Sequence, residues 1–317
     1  MSDIITVTVN PALDVSASTP QVRPTSKLRC DQVERHPGGG GVNVARVLHR
    51  LGSDCKALCL VGGPSGQMLL QLLAQEGVNC LPVPISGHTR ESFTVRELGS
   101  GQEYRFVLPG PQVQASEVAS TLDTLGQQGA PRYLVASGSL PPGMPTHFYA
   151  ELAAVARTWG ARLVVDGSGP ALGAALAHGV YMAKPSLREM RELTDQPLTS
   201  LHAVRDAARQ WVADGRAEVV AVSLGDKGAV LVSAHEALFA PALAVQVVSA
   251  VGAGDSFVAG MVWALSEGQT VGRAFALGVA AGSAALSSSG TGLCAPDDVH
   301  RGVQSVQLLA EFPEMVL

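Results

Sequence analysis

Two hydrophobic patterns alternate along the chain. Residues 4–9, 56–61, 133–137, 162–166, 180–185 and 218–225 are short, nearly continuous apolar runs. Such runs mark strands buried on both faces, as in a parallel sheet. Between them, residues 41–51, about 66–76, 146–159, 201–213 and 270–286 carry apolar positions at helical spacing. A second kind of segment breaks this rhythm. Residues 27–34 alternate polar and apolar, and residues 91–98 and 102–108 do so on either side of Gly99-Ser100-Gly101, a hairpin signal. The pattern predicts an α/β fold in three layers, a mainly parallel sheet between helices, with a small β-sheet inserted twice. The expected main domain is 1–15, 36–88 and 107–317; the expected small sheet, a lid, is 16–35 and 89–106. A small sheet has one apolar face with little behind it, so the main domain or a second subunit must cover it.

Composition narrows the partners. Hydrophobic content of 46% supports a large core, while a net charge of −5 without a basic block, and only 4% aromatic residues, argue against nucleic acid. The five cysteines contain no C-x-x-C and no paired Cys/His spacing, so they read as reduced thiols rather than a zinc site. No apolar run approaches the about 20 residues needed to span a bilayer, and the N-terminus reads as a strand rather than a leader, so a cytoplasmic protein is expected.

The polar features fall where predicted strands end: Asp14, Gly38 to Asn43, Ser139, Lys184, Ser223-Leu224-Gly225 and Asp255. In open parallel sheets those ends share one edge, where ligands bind. The stretch 251–260, Val-Gly-Ala-Gly-Asp-Ser-Phe-Val-Ala-Gly, is expected to follow a strand at 244–248 and open a helix. A helix N-terminus offers free N–H groups to an anion. Asp255 there reads either as a helix cap or as a general base beside an anion hole. Residues 38–41 are four glycines leading into a helix, either a hinge or a backbone that must approach a ligand closely.

At these residues the chain resembles the PfkB (ribokinase-like) family of carbohydrate kinases. Gly38-Gly39-Gly40-Gly41-x-Asn43-x-Ala45 resembles its first signature and Val251 to Ser256 its second. Residues 27–30, 102–110, 137–143 and 275–285 extend the likeness to the family's ATP-dependent 6-phosphofructokinase branch of enteric bacteria. That resemblance implies phosphorylation of fructose 6-phosphate at its 1-hydroxyl. It makes Asp255 the base and the backbone of Gly252, Ala253 and Gly254 the anion hole. Asp14, Gly38, Gly39 and Asn43, with Ser139 nearby, would hold the sugar, and Lys27, Arg29, Arg90 and Arg105 its 6-phosphate. ATP would lie over Ser223, Gly225 and Gly228, with Gly278, Gly282 and Ser283 leaving room for the purine and Lys184 approaching the phosphates. Glu189 would organise Mg²⁺ through water, and carbonyls of Ser249, Val251, Ala285 and Gly290 would form a candidate site for a monovalent cation such as K⁺. A homodimer through the lid is also implied.

Two positions depart from the family. Ser186 replaces the asparagine of its Asn-x-x-Glu, which puts Mg²⁺ or ATP affinity in question, and Gly292 replaces an arginine near the candidate cation site. Rival readings within the family are tagatose-6-phosphate kinase and 1-phosphofructokinase, which commonly carry lysine where Gly40 stands. A silent sugar-phosphate sensor is the rival from another class. A dinucleotide-binding oxidoreductase would need Gly-x-Gly-x-x-Gly after the first strand, where Asn10-Pro11 stands.

Overall fold

The computed structural model describes residues 3–317; the first two residues of the expected main domain lie outside them. In chain order the first half has β1 (Ile4–Thr8), β2 (Ala12–Thr19), β3 (Asp31–Gly38), α1 (Gly40–Arg50), β4 (Cys55–Val61), α2 (Gly63–Gln75), β5 (Asn79–Pro84), β6 (Arg90–Glu97), β7 (Glu103–Val107) and α3 (Ala115–Gly126). Next come β8 (Tyr133–Ser137), α4 (Phe148–Trp159), β9 (Arg162–Asp166), α5 (Gly169–His178), β10 (Val180–Ala183), α6 (Leu187–Thr194), α7 (Leu201–Ala213) and β11 (Ala217–Ser223). The chain closes with β12 (Ala229–Ser233), β13 (Ala237–Ala240), α8 (Ala253–Ser266), α9 (Val271–Ala285) and α10 (Pro296–Gly302).

Among the described residues nine strands form one sheet in the order β13-β12-β11-β10-β9-β8-β1-β4-β5, parallel except for the β11-β12-β13 meander at one edge. Successive side chains of a strand point to opposite faces, so each interior strand feeds two cores. Tyr133 and Val135 of β8 join α1, α8 and α9 on one face, while Leu134 and Ala136 join α4, α5 and α7 on the other. The three layers expected from the pattern are therefore present. β1 is flanked by β4 on one side and β8 on the other, so the connections diverge there. Such a switch point opens a crevice at the carboxyl ends of the strands. Asn10, just after β1, donates to the Ser139 hydroxyl, just after β8, at 3.0 Å and spans that crevice.

The second sheet has the order β3-β2-β6-β7. Its hairpin β6–β7 matches the alternation in the sequence, but its other half differs from expectation. Residues 27–30 are exposed and form no strand; β3 starts at Asp31 and runs on to Gly38. β2 had no counterpart in the sequence reading. It mixes Ala12, Leu13, Val15 and Ala17 with polar residues, and it becomes a strand by pairing with β3 and, in parallel, with β6 some seventy-odd residues further on. Asp14 therefore sits within β2 of the small sheet rather than in a loop after β1. Residues 244–248 are also not a strand. They pair with no strand; Val248 N instead donates to Leu286 O at 2.7 Å, and Val247 is 60% exposed. No helix among the described residues is long and apolar enough to cross a membrane.

Candidate active site

The carboxyl ends of β8 and β9 and the first turns of α6 and α8 border an open cavity of about 180 Å³ lined by Ser137, Gly138, Ser139, Asp166, Gly167, Ser168, Glu189 and Asp255. Gly252 is the N-cap of α8, with φ 76°, a conformation that favours glycine. A side chain there would also meet Leu293 Cδ2 at 2.4 Å. In the first turn, Ala253 N–H makes only a long 3.5 Å bond to Ala250 O, and the N–H groups of Gly254 and Asp255 have no backbone acceptor. They form the open, positive end of a well-packed helix. Asp255 caps nothing with its side chain. Its Oδ2 instead accepts from Asn43 Nδ2 at 2.9 Å, which links the two glycine-rich segments. Burial, reinforced by the Asp166 charge, pushes its carboxyl up to about 7, against the opposing pull of Asn43 and Lys184. A carboxyl tuned to that range suits proton transfer near neutral pH.

Lys184 follows β10 and is almost wholly buried. Its Nζ is 3.1 Å from Asp166 Oδ1 and 3.5 Å from where a Cβ on Gly254 would stand, so it lies against the anion-hole turn. Burial works to lower its pKa, but Asp166, Glu189 and Asp255 together outweigh that and hold it charged. Burial likewise raises Asp166, with Lys184 opposing. The sequence alone marks Asp166 only as a carboxylate ending an apolar strand on the ligand edge, which assigns it no role. Ser186 and Glu189 form a capping box on α6. The Ser186 hydroxyl accepts from Glu189 N at 3.3 Å, and Glu189 Oε2 accepts from Ser186 N at 2.8 Å. Ser186 thus fixes the carboxylate beside it. Ser223 bridges to Ser186, and Gly225 and Gly228, both at positive φ, flank a 3₁₀ turn.

On the sugar side, Asp14 Oδ2 accepts from Thr291 Oγ1 at 2.8 Å. Burial raises its pKa, and Arg90, Arg46 and Arg105 favour its charge. A Cβ on Gly38 would stand 2.1 Å from Asp14 Oδ2, and Gly39 has φ 108° with Pro11 Cα 2.9 Å from its missing Cβ. Both glycines are thus required by close approach. Arg90 donates to Asn10 O at 3.2 and 3.3 Å and is half-buried. Arg105 is exposed on β7 but within electrostatic reach of Asp14. Lys27 and Arg29 stand apart, on the exposed segment between β2 and β3.

Two further expectations meet the packing differently. Gly278 is buried inside the α8–α9 contact, where a Cβ would meet Met261 Cγ at 2.6 Å and Phe257 O at 3.0 Å, so its small size serves helix packing rather than an open purine slot. Gly282 also approaches α8, with Ala253 O at 3.1 Å from its missing Cβ, yet it and Ser283 keep partial exposure. The segments carrying Ser249, Val251, Ala285 and Gly290 run side by side, joined by bonds from Val248 N and Ser249 N to Leu286 O. The Ala285 carbonyl already accepts from Ser288 N at 3.1 Å, and the Gly292 carbonyl accepts from Arg50 at 2.6 Å.

The model of the pfkB family carbohydrate kinases matches residues 7–298. The chain belongs to the PfkB family of carbohydrate kinases. Among its PfkB relatives is the ATP-dependent 6-phosphofructokinase isozyme 2 of Mycobacterium tuberculosis, 44% identical over 94% of this chain and 88% of that one. The isozyme of Escherichia coli is 40% identical over 95% and 98%. A 1-phosphofructokinase of Rhodobacter capsulatus is 35% identical over 93% of each chain. A solved structure of E. coli phosphofructokinase-2 with potassium superposes with a TM-score of 0.92 at 39% identity, covering 96% of this chain and 99% of that one. The same E. coli protein is known with fructose 6-phosphate and as a tetrameric inhibited form. This PfkB member is accordingly a sugar-phosphate kinase.

Proposed function

We propose that the protein transfers the γ-phosphoryl group of ATP to the 1-hydroxyl of fructose 6-phosphate. The observation that carries this is Asp255, a carboxylate at the open N-terminus of α8 held from the sugar side by Asn43 and faced from the nucleotide side by Lys184. A sugar hydroxyl is a weak nucleophile at neutral pH. Asp255 takes its proton as the oxygen bonds to the γ-phosphorus and ADP leaves. The N–H groups of Gly252, Ala253 and Gly254, with Lys184, stabilise the charge on the transferring group. Arg90 and Arg105, near Asp14, supply positive charge for the 6-phosphate; Lys27 and Arg29 reach it only if the segment between β2 and β3 moves or a second subunit contributes it.

Glu189 and Asp166, on one cavity, fit a cation held mainly by water and phosphate oxygens, as Mg²⁺ usually is. Among the described residues no cluster of three or more His, Cys, Asp or Glu forms a cage for a metal. Bound Mg²⁺ would neutralise ATP phosphate charge. The carbonyls near Ser249 and Gly290 are proposed to take K⁺. The small sheet is proposed as both lid and dimer surface, because Val33, Phe93, Phe106 and Val107 on it are exposed, Val107 by 61%. A cytoplasmic enzyme fits this reading.

Fructose 6-phosphate is favoured over fructose 1-phosphate by Gly40. A Cβ there would stand 2.3 Å from Ser137 Oγ and 2.8 Å from Gly138 N, so this backbone has no place for a lysine. The test is a coupled assay with Mg·ATP and a panel of fructose 6-phosphate, tagatose 6-phosphate, fructose 1-phosphate and fructose. Fructose 6-phosphate should give the highest kcat/KM. Preference for fructose 1-phosphate would overturn the substrate, and no turnover of any would return the sensor reading.

A further inference from the structure

Arg46 lies within α1, one turn after Asn43, and its side chain is fully buried. A buried guanidinium is costly unless its donors are used. Here they are. Nε and Nη2 form a fork with the Glu76 carboxylate at 2.7 to 3.0 Å. Nη1 turns the other way, to Pro37 O at 2.9 Å, Thr291 O at 3.0 Å and Asn43 Oδ1 at 3.4 Å. Glu76 also takes Arg50, which donates to Gly292 O and Cys294 O. One ion-pair network thus grips the approach to the first glycine run, α1 and the 291–294 turn.

Stability alone does not call for such a network, since apolar side chains of similar volume often serve as well. Its effect on direction is specific. Asn43 has one face to Arg46 and the other to Asp255. With the guanidinium on the oxygen side, the amide NH₂ must point at the carboxylate, at 2.9 Å. Reversing the amide would aim its oxygen at Asp255 and its hydrogens at the cation, both repulsive. The same Nη1 holds the Thr291 backbone, whose hydroxyl donates to Asp14. We propose that Arg46 is a positioning residue: it orients the Asn43 amide toward Asp255 and the Thr291 hydroxyl toward Asp14. This rests on the reading of Asp255 as the base, but its test does not depend on turnover.

The test is a ¹³C-carboxyl NMR titration of Asp255, its resonance assigned by its loss in Asp255→Asn. Wild type, Arg46→Met, Asn43→Ala and the double variant are compared. Removing the oriented donor should raise the Asp255 midpoint by about half a pH unit in Arg46→Met. Asn43→Ala should do the same, and the double variant no more than either, because both act through one hydrogen bond. An unmoved midpoint in Arg46→Met, or additive shifts, would overturn the proposal. Should Arg46→Met fail to fold by circular dichroism, Arg46→Lys takes its place. A point ammonium keeps the charge beside Glu76 but cannot span Pro37, Thr291 and Asn43, so the midpoint should still rise; an unmoved one counts against the proposal. A shifted midpoint in an enzyme that turns over no sugar phosphate would leave Arg46 its role and remove the kinase reading of Asp255. Turnover with an unshifted midpoint would do the reverse.

Discussion

Asp255→Asn is expected to remove turnover and to raise stability, the second only above a certain pH. The Asp255 carboxyl is moved from an ordinary 3.8 to about 7, mainly by burial. The folded protein therefore holds this proton more tightly than the unfolded chain. Below about pH 4 both states are protonated and the group contributes nothing. Between pH 4 and 7 the unfolded state ionises first, so stability falls as pH rises, and above 7 the loss is complete. At about 1.36 kcal/mol per pH unit the ceiling is ~4 kcal/mol. Asp255 keeps partial exposure to cleft water, and screening there brings the expected value to about 2 kcal/mol. An amide of the same shape escapes this cost. Scanning calorimetry at pH 8 should show Asp255→Asn melting a few degrees higher than wild type, about 3–6 °C on the usual scaling. At pH 4 the difference should vanish. In the coupled assay at pH 8, kcat should fall by a factor on the order of 10² to 10⁴. Wild-type kcat/KM should have an acid limb near pH 7. An equal Tm shift at both pH values would refute the electrostatic argument, and near-normal kcat would refute the role as base.

Arg105→Ala and Arg90→Ala should each raise KM for fructose 6-phosphate about tenfold with little change in KM for ATP, read from steady-state kinetics; an unmoved sugar-phosphate KM would remove them from the phosphate site. Gly38→Ala places a methyl 2.1 Å from Asp14 Oδ2. It should displace that carboxylate and raise the sugar KM while leaving nucleotide binding by calorimetry intact. Gly278→Ala forces a methyl against Met261 and Phe257 O. Overpacking of this kind costs about 1–3 kcal/mol, so its Tm should drop, and an unchanged Tm with weaker ATP binding would restore the purine role. Phe106→Asp on the exposed sheet face should reduce the mass in light scattering to that of a monomer; an unaltered mass would place the subunit contact elsewhere.

The sequence alone determined the three-layer α/β fold, because strands buried on both faces are apolar throughout and helices show one apolar stripe. It also singled out the 38–43 and 251–256 segments, since each is contiguous and glycine-rich for reasons local to its own backbone. The tertiary structure decided whatever depends on partners distant in the chain. β2 mixes apolar and polar residues and is made into a strand by β3 and β6, while the β-branched residues at 244–248 bond to the turn after α9 and stay outside the sheet. Strand formation follows pairing and burial more than intrinsic preference. Gly278 was read for the ligand it leaves room for, but Met261 and Phe257 of α8 occupy that space. Asp166 became a member of the site only when Lys184 was placed 3.1 Å away. Arg46 interrupts the apolar Val44-Ala45-x-Val47-Leu48, the one local trace of a buried charge. Its meaning came from Glu76, Thr291 and Asn43, which the fold brings around it. A local pattern fixes which face of an element is buried; only the assembled chain fixes what a buried polar group meets there.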